Sequence, residues 1–69
     1  MKHYYAAHVF FDRRSGYTVG IESDKVLTYD EEIIAECLKQ GKFSDESDAK
    51  NVNETYKISQ ATFIMHYNN

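Results

Sequence analysis

The run from His3 to Asp12 reads His-Tyr-Tyr-Ala-Ala-His-Val-Phe-Phe-Asp, and it constrains the fold more than any other part of the chain. Extended backbone points alternate side chains to opposite faces. One face of such a strand carries Tyr5, Ala7, Val9 and Phe11; the other carries Tyr4, Ala6, His8 and Phe10. Neither face is polar, so the strand belongs at the centre of a sheet and both of its faces call for cover. The chain offers one clearly patterned helix, and one helix covers one face. The second face is therefore expected to stay open as an aromatic patch. Tyr4 and Phe10 are its leading partner-binding candidates and Tyr67 is a third; in the other hairpin register Tyr5 and Phe11 replace the first two.

The remaining elements follow from pattern. Residues 12–17, Asp-Arg-Arg-Ser-Gly-Tyr, punctuate two strand-like runs. Gly16 suits a hairpin loop and Asp12 can bind its amides. Residues 17–22 then alternate, with Tyr17, Val19 and Ile21 on one side. A hairpin over about 3–23 is the result. A three-residue loop pairs Phe11 with Val19 and Val9 with Ile21. A four-residue loop pairs Phe10 with Val19 and His8 with Ile21. The first is preferred because it keeps His8 out of the core.

A helix over about 29–40 follows. Thr28 and Glu31 have capping-box spacing, and Asp30, Glu31 and Glu32 complement the helix dipole. Ile33, Ile34, Cys37 and Leu38 form its apolar stripe, and Gly41 suits the position after the C-cap. Residues 44–53 read as a mobile acidic loop. A last strand is expected over about 54–66, with a shift of apolar phase near Ser59-Gln60 that a β-bulge would explain. The order β-β-α-β, with a right-handed crossover, makes the second and third strands parallel to each other and places the first between them. The expected fold is one small α+β domain over 1–69: a three-stranded sheet, order 2-1-3, with one helix on one face.

Composition bounds the function. Sixty-nine residues suit a single domain. Cys37 is the one cysteine, which excludes an intrachain disulfide framework and fits a reducing compartment. The start has no apolar stretch of signal-peptide type, and no apolar run approaches the roughly 18 residues of a membrane span. The cytoplasm, with no membrane contact, is the expected location. The net charge of −3 is uneven: residues 28–54 hold eight acids against Lys39, Lys42 and Lys50. An acidic middle disfavours a generic nucleic-acid binder, which needs a basic face. The usage of Phe, Tyr, Ile, Asn and Lys, without Pro, matches an AT-rich genome, such as a low-GC bacterium or its mobile elements.

Each chemical constellation has a plainer account. His3 and His66 would approach each other if the last strand paired with the first, but no third ligand with zinc-site spacing accompanies them. Cys37 lies on the apolar stripe beside Glu36, a setting for a packing thiol rather than a nucleophile. Asp30, Glu31 and Glu32 point apart on a helix, whereas acid–base pairs converge on one substrate. Arg13 and Arg14 at the hairpin tip could grip phosphates with neighbouring tyrosines stacking bases, but no wider basic stripe supports them. The tyrosines Tyr4, Tyr5, Tyr17, Tyr56 and Tyr67 fit an interface as well as they fit a sheet.

Residues 2–38 resemble, in outline, the opening of HicB-type antitoxins. The shared features are Tyr4-Tyr5-Ala6, a polar turn ending Gly16-Tyr17, and a helix opened by Thr28 through Glu32. The chain departs from that pattern in lacking the Pro-Gly-Cys-type strand between hairpin and helix and in lacking a DNA-binding tail. The resemblance implies an alternative only: a nucleic-acid-associated or antitoxin-like regulator using Arg13 and Arg14. The residues themselves point to a non-enzymatic interaction module. It would bind a protein partner or form a weak homodimer, and no cofactor or metal is expected.

Overall fold

The centre of the sheet goes to the strand with two apolar faces. The computed structural model describes residues 1–12 and 15–67. It runs β1 (His3–Asp12), β2 (Ser15–Ser23), α1 (Asp30–Lys39), a 3-10 helix (Glu46–Asn51), β3 (Val52–Ile58) and α2 (Gln60–His66). The sheet order is β2-β1-β3, and β1 is antiparallel to both neighbours. The outer strands therefore run parallel to each other across β1, as the β-β-α-β order requires. Ten residues at about 3.4 Å each make a strand about 34 Å long, which matches the molecule's longest extent of 35 Å.

The hairpin register differs from both expectations. Val9 lies opposite Tyr17, Ala7 opposite Val19 and Tyr5 opposite Ile21. Asp12 is opposite Ser15, with an irregularity between Phe10 and Asp12, so two positions separate the paired residues instead of three or four. The Asp12 carboxylate accepts from the Ser15 amide at 3.0 Å. The odd-numbered residues still share a face, as the preferred register required. A slip by an even number of residues leaves side chains on the same face, so the pattern could assign the face while missing the pairing.

That face is the main core. Tyr5, Ala7, Val19 and Ile21 pack with Ile33 and Cys37 of α1, and Tyr17, Leu27, Phe43 and Val52 close the rim. Ile21, Val9 and Cys37 are its largest fully buried side chains. The helix is capped one residue later than the spacing suggests. Tyr29 is the N-cap, and the Glu32 carboxylate accepts from the amides of Thr28 at 2.8 Å and Tyr29 at 2.9 Å. Those two N–H bonds hold the Glu32 carboxyl below its ordinary value. Asp30 accepts from the Thr55 hydroxyl at 2.5 Å, tying α1 to β3. At the other end the amide of Gly41 bonds to the Leu38 carbonyl and that of Lys42 to the Cys37 carbonyl, a Schellman closure.

Two further segments depart from expectation. The acidic stretch forms the 3-10 helix rather than a mobile loop. Asp45 caps it by accepting from the Ser47 amide at 2.9 Å, and the buried Asp48 accepts from the Tyr17 hydroxyl. The last strand expected to reach residue 66 ends at Ile58, and a helix takes its place. Ser59 caps α2 by accepting from the Thr62 amide at 3.0 Å. The phase shift at Ser59-Gln60 marks a helix start, not a bulge. The bulge of β3 lies elsewhere, between the pairs His8–Glu54 and Val9–Val52.

Candidate functional site

The second face of the sheet is where the aromatic patch was expected. By register it carries Tyr4, Ala6, His8 and Phe10 from β1, Thr18 and Gly20 from β2, and Glu54, Tyr56 and Ile58 from β3. The helix α2 folds back over one end of it. Phe63 is buried against Tyr4, with ring centroids 5.0 Å apart and planes tilted by 39°. The Tyr67 side chain packs against Gly20, where a Cβ would come within 2.5 Å of the Tyr67 ring. Only a residue without a side chain admits that ring. Burial, and then the neighbouring Tyr56 hydroxyl, push the Tyr67 phenol above its ordinary value.

The three residues expected to form one open patch therefore separate. Tyr4 is 8% exposed and belongs to a second, smaller core. The single-helix account of the sheet misses this cover. Tyr67 is half-buried and helps to hold α2 down. Phe10 is 42% exposed. Beyond Val9, β1 has no paired residue on β3, so Phe10 and Phe11 stand on a two-stranded hairpin end. They project from opposite faces. Phe11 is 46% exposed and touches Tyr17 at 6.2 Å between centroids. Between Phe10 and the cover of α2, His8 Nδ1 and Thr18 Oγ1 share a cross-strand hydrogen bond of 2.8 Å.

The outer side of α2 adds apolar surface that the strand reading could not place. Ile64 and Met65 are 53% and 75% exposed, because a helix that buries Phe63 must turn its neighbours outward. Phe63 and Tyr67 are four residues apart, the spacing of one helical face, and this signal was present in the sequence. Ile64, which breaks the β alternation, pointed the same way.

The chemical candidates stay apart. His66 is on α2, whereas His3 begins β1 on the parity of the α1 face. Among the described residues no group of three or more His, Cys, Asp or Glu side chains is placed to hold a metal ion. Cys37 is fully buried, and burial, with Glu36 adding to it, raises its thiol to about 11. Asp30 engages Thr55 while Glu32 turns back to the helix start, so the two carboxylates do not converge. Arg13 and Arg14, on which the nucleic-acid alternative rests, lie outside the described residues. No helix among the described residues is long and apolar enough to cross a membrane.

Comparison with known proteins returns no match: no family model, no curated protein and no solved structure matches this chain.

Proposed function

We propose that this chain is a non-enzymatic interaction module that engages a protein partner, or a second copy of itself, through the aromatic surface of its hairpin end. The observation that carries the reading is the exposure of Phe10 and Phe11 on a part of the hairpin that extends past the third strand. Exposed aromatic side chains at low entropy cost are what interface hot spots are made of. Tyr4, Tyr5, Tyr17, Phe63 and Tyr67 are used internally. Tyr29 and Tyr56 are also exposed, but Tyr29 caps α1 and Tyr56 belongs to β3. Phe10 and Phe11 are therefore the exposed pair on the hairpin end, with Phe11 leaning on Tyr17. Tyr67 and Tyr4 enter the reading as residues that shape the face and not as contacts.

The test is capture from the native host with the full chain as bait, the wild type beside Phe10→Ser and the double variant Phe10→Ser, Phe11→Ser. Stability should change by less than about 1 kcal/mol, since exposed positions contribute little. Loss of the captured protein in the double variant supports the reading. Retention of every partner by a folded double variant sinks it. A captured complex that contains nucleic acid and weakens steeply with salt would support the Arg13-Arg14 alternative instead.

A further inference from the structure

The two edges of the sheet are protected very differently. Natural edge strands discourage further pairing with charges, prolines or bulges. β3 carries Glu54, Lys57 and a bulge at its pairing with β1. β2 reads Ser-Gly-Tyr-Thr-Val-Gly-Ile-Glu-Ser over nine residues, with Glu22 its only charge and no proline. Among the described residues no strand pairs with its outer side. The Gln40 amide reaches the Glu22 carbonyl at 2.8 Å from outside the sheet. Antiparallel pairing alternates inward and outward backbone groups. If Glu22 faces outward, Gly20, Thr18 and Gly16 do so as well. The close side-chain contact of Thr18 with His8 fits this phase, because non-hydrogen-bonded pairs sit nearer each other.

A groove of about 250 Å³ lies along this edge, lined by Thr18, Val19, Gly20, Lys42, His66 and Tyr67. The middle of β2, Lys42 just after α1 and the end of α2 contribute this lining. Among the described residues Lys42 makes no ion pair; the ion pairs found there join Lys2 to Glu22 and Asp24.

We propose that the outer edge of β2 accepts an extended, acidic segment of another protein as a fourth strand, with a carboxylate of that segment paired to Lys42. Backbone bonds to Thr18 and Gly20 supply affinity in this mode, and the side chains lining the groove supply selectivity. A second copy of the chain fits less well. Two β2 strands paired antiparallel about a two-fold axis keep equivalent faces together. Lys42 flanks the middle of the strand, so the two Lys42 ammonium groups would meet at that axis. The inference is independent of the hairpin-tip reading, because the groove and Phe10 occupy different places.

The experiment selects a displayed library of randomised octapeptides against the full chain, in parallel with Lys42→Glu and Lys42→Gln. Selected peptides should alternate β-branched residues and carry Asp or Glu at one fixed position. A synthetic selected peptide should shift the amide resonances of Thr18 and Gly20. Alternate backbone N-methylation should weaken it at least tenfold. Lys42→Glu should switch the selection to Lys or Arg at that position, and Lys42→Gln should lose the preference. Phe10→Ser should leave peptide binding unchanged, which separates this site from the hairpin tip. The proposal is overturned by failure to select any peptide. It is equally overturned by selected peptides indifferent to Lys42, by shifts centred on Phe10, or by concentration-dependent dimerisation that protects the Thr18 amide.

Discussion

The two faces of one central strand meet two kinds of cover. Under α1, Tyr5 and Ala7 of β1 join Val19, Ile21, Ile33 and Cys37 in a core sealed to zero exposure at its centre. Its rim is stitched by tyrosine hydroxyls: Tyr5 accepts from the Leu27 amide at 2.8 Å, and Tyr17 accepts from the Ser44 amide at 3.0 Å while donating to Asp48. On the other face the seven residues of α2 and the Tyr67 that follows them cover Tyr4 and Gly20 but leave Phe10 exposed. A strand that is apolar on both sides does not require two equal cores. One face holds the fold together, and the other is partly covered by a short helix and partly left for contact.

The comparison breaks most visibly at the centre of the α1 face. Ile21→Ala should cost about 3 kcal/mol, the usual penalty for a buried Ile truncated to a cavity. Urea denaturation measures it. A loss below about 1 kcal/mol would show that this face is not the main core.

Gly20→Val attacks the second face. Its Cβ would fall within 2.5 Å of the Tyr67 ring, close to that residue's own backbone, so the ring must move. The expected cost is about 2 kcal/mol, with faster proteolysis confined to the C-terminal helix. The double variant Gly20→Val, Tyr67→Ala should recover part of the loss, because the clash disappears with the ring.

Tyr17→Phe tests the stitching of the rim. It removes the donor to Asp48 and leaves a buried carboxylate without that partner, at a cost of about 1.5 kcal/mol. The 3-10 helix should exchange its amides faster, while α2 remains unaffected. Equal loosening of both would mean that the two faces unfold as one unit.

Cys37→Ala is the mildest change on this face, at about 1 kcal/mol. In the wild type a thiol reagent should label Cys37 only as fast as the chain unfolds. Alkali sharpens the same point. The Cys37 thiol is raised from its ordinary 9.0 to about 11 in the folded chain. A raised value means the neutral thiol is favoured by folding, so its contribution is whole below pH 9 and is lost as pH rises towards 11. Tyr17 is also raised, first by burial and then by its bond to Asp48, and adds to the decline above pH 10. From neutral pH stability should be flat up to about pH 9 and then fall, less steeply in Cys37→Ala. On the acid side it should also decline, as the hydrogen-bonded Glu32 and Asp45 carboxylates are protonated.

How much of this could be read beforehand follows the range of the interactions. The hairpin, α1 with its Schellman end, and the order β2-β1-β3 were legible because each rests on local periodicity, on capping chemistry or on the apolar excess of one strand. The packing role of Cys37 came from its place among Ile33, Ile34 and Leu38. The helix Gln60–His66 was missed although Ser59 and the Phe63–Tyr67 spacing announced it; the β-forming aromatic residues of that stretch outweighed a seven-residue signal. For the same reason Tyr4 was placed in an open patch that α2 covers.

What the sequence by itself determined is the two-sided apolar strand, its central place and the helix that covers its odd face, because alternation and helical spacing are properties of neighbouring residues. The tertiary structure alone decided the hairpin register, the docking of the acidic segment through Tyr17 and Asp48, and the split of the even face into a covered half and an open half. These depend on contacts between residues far apart in the chain: Tyr67 against Gly20, Phe63 against Tyr4, Tyr17 with Asp48. When both faces of a strand are apolar, hydrophobic pattern alone does not select among registers of equal parity, and the choice passes to those distant partners.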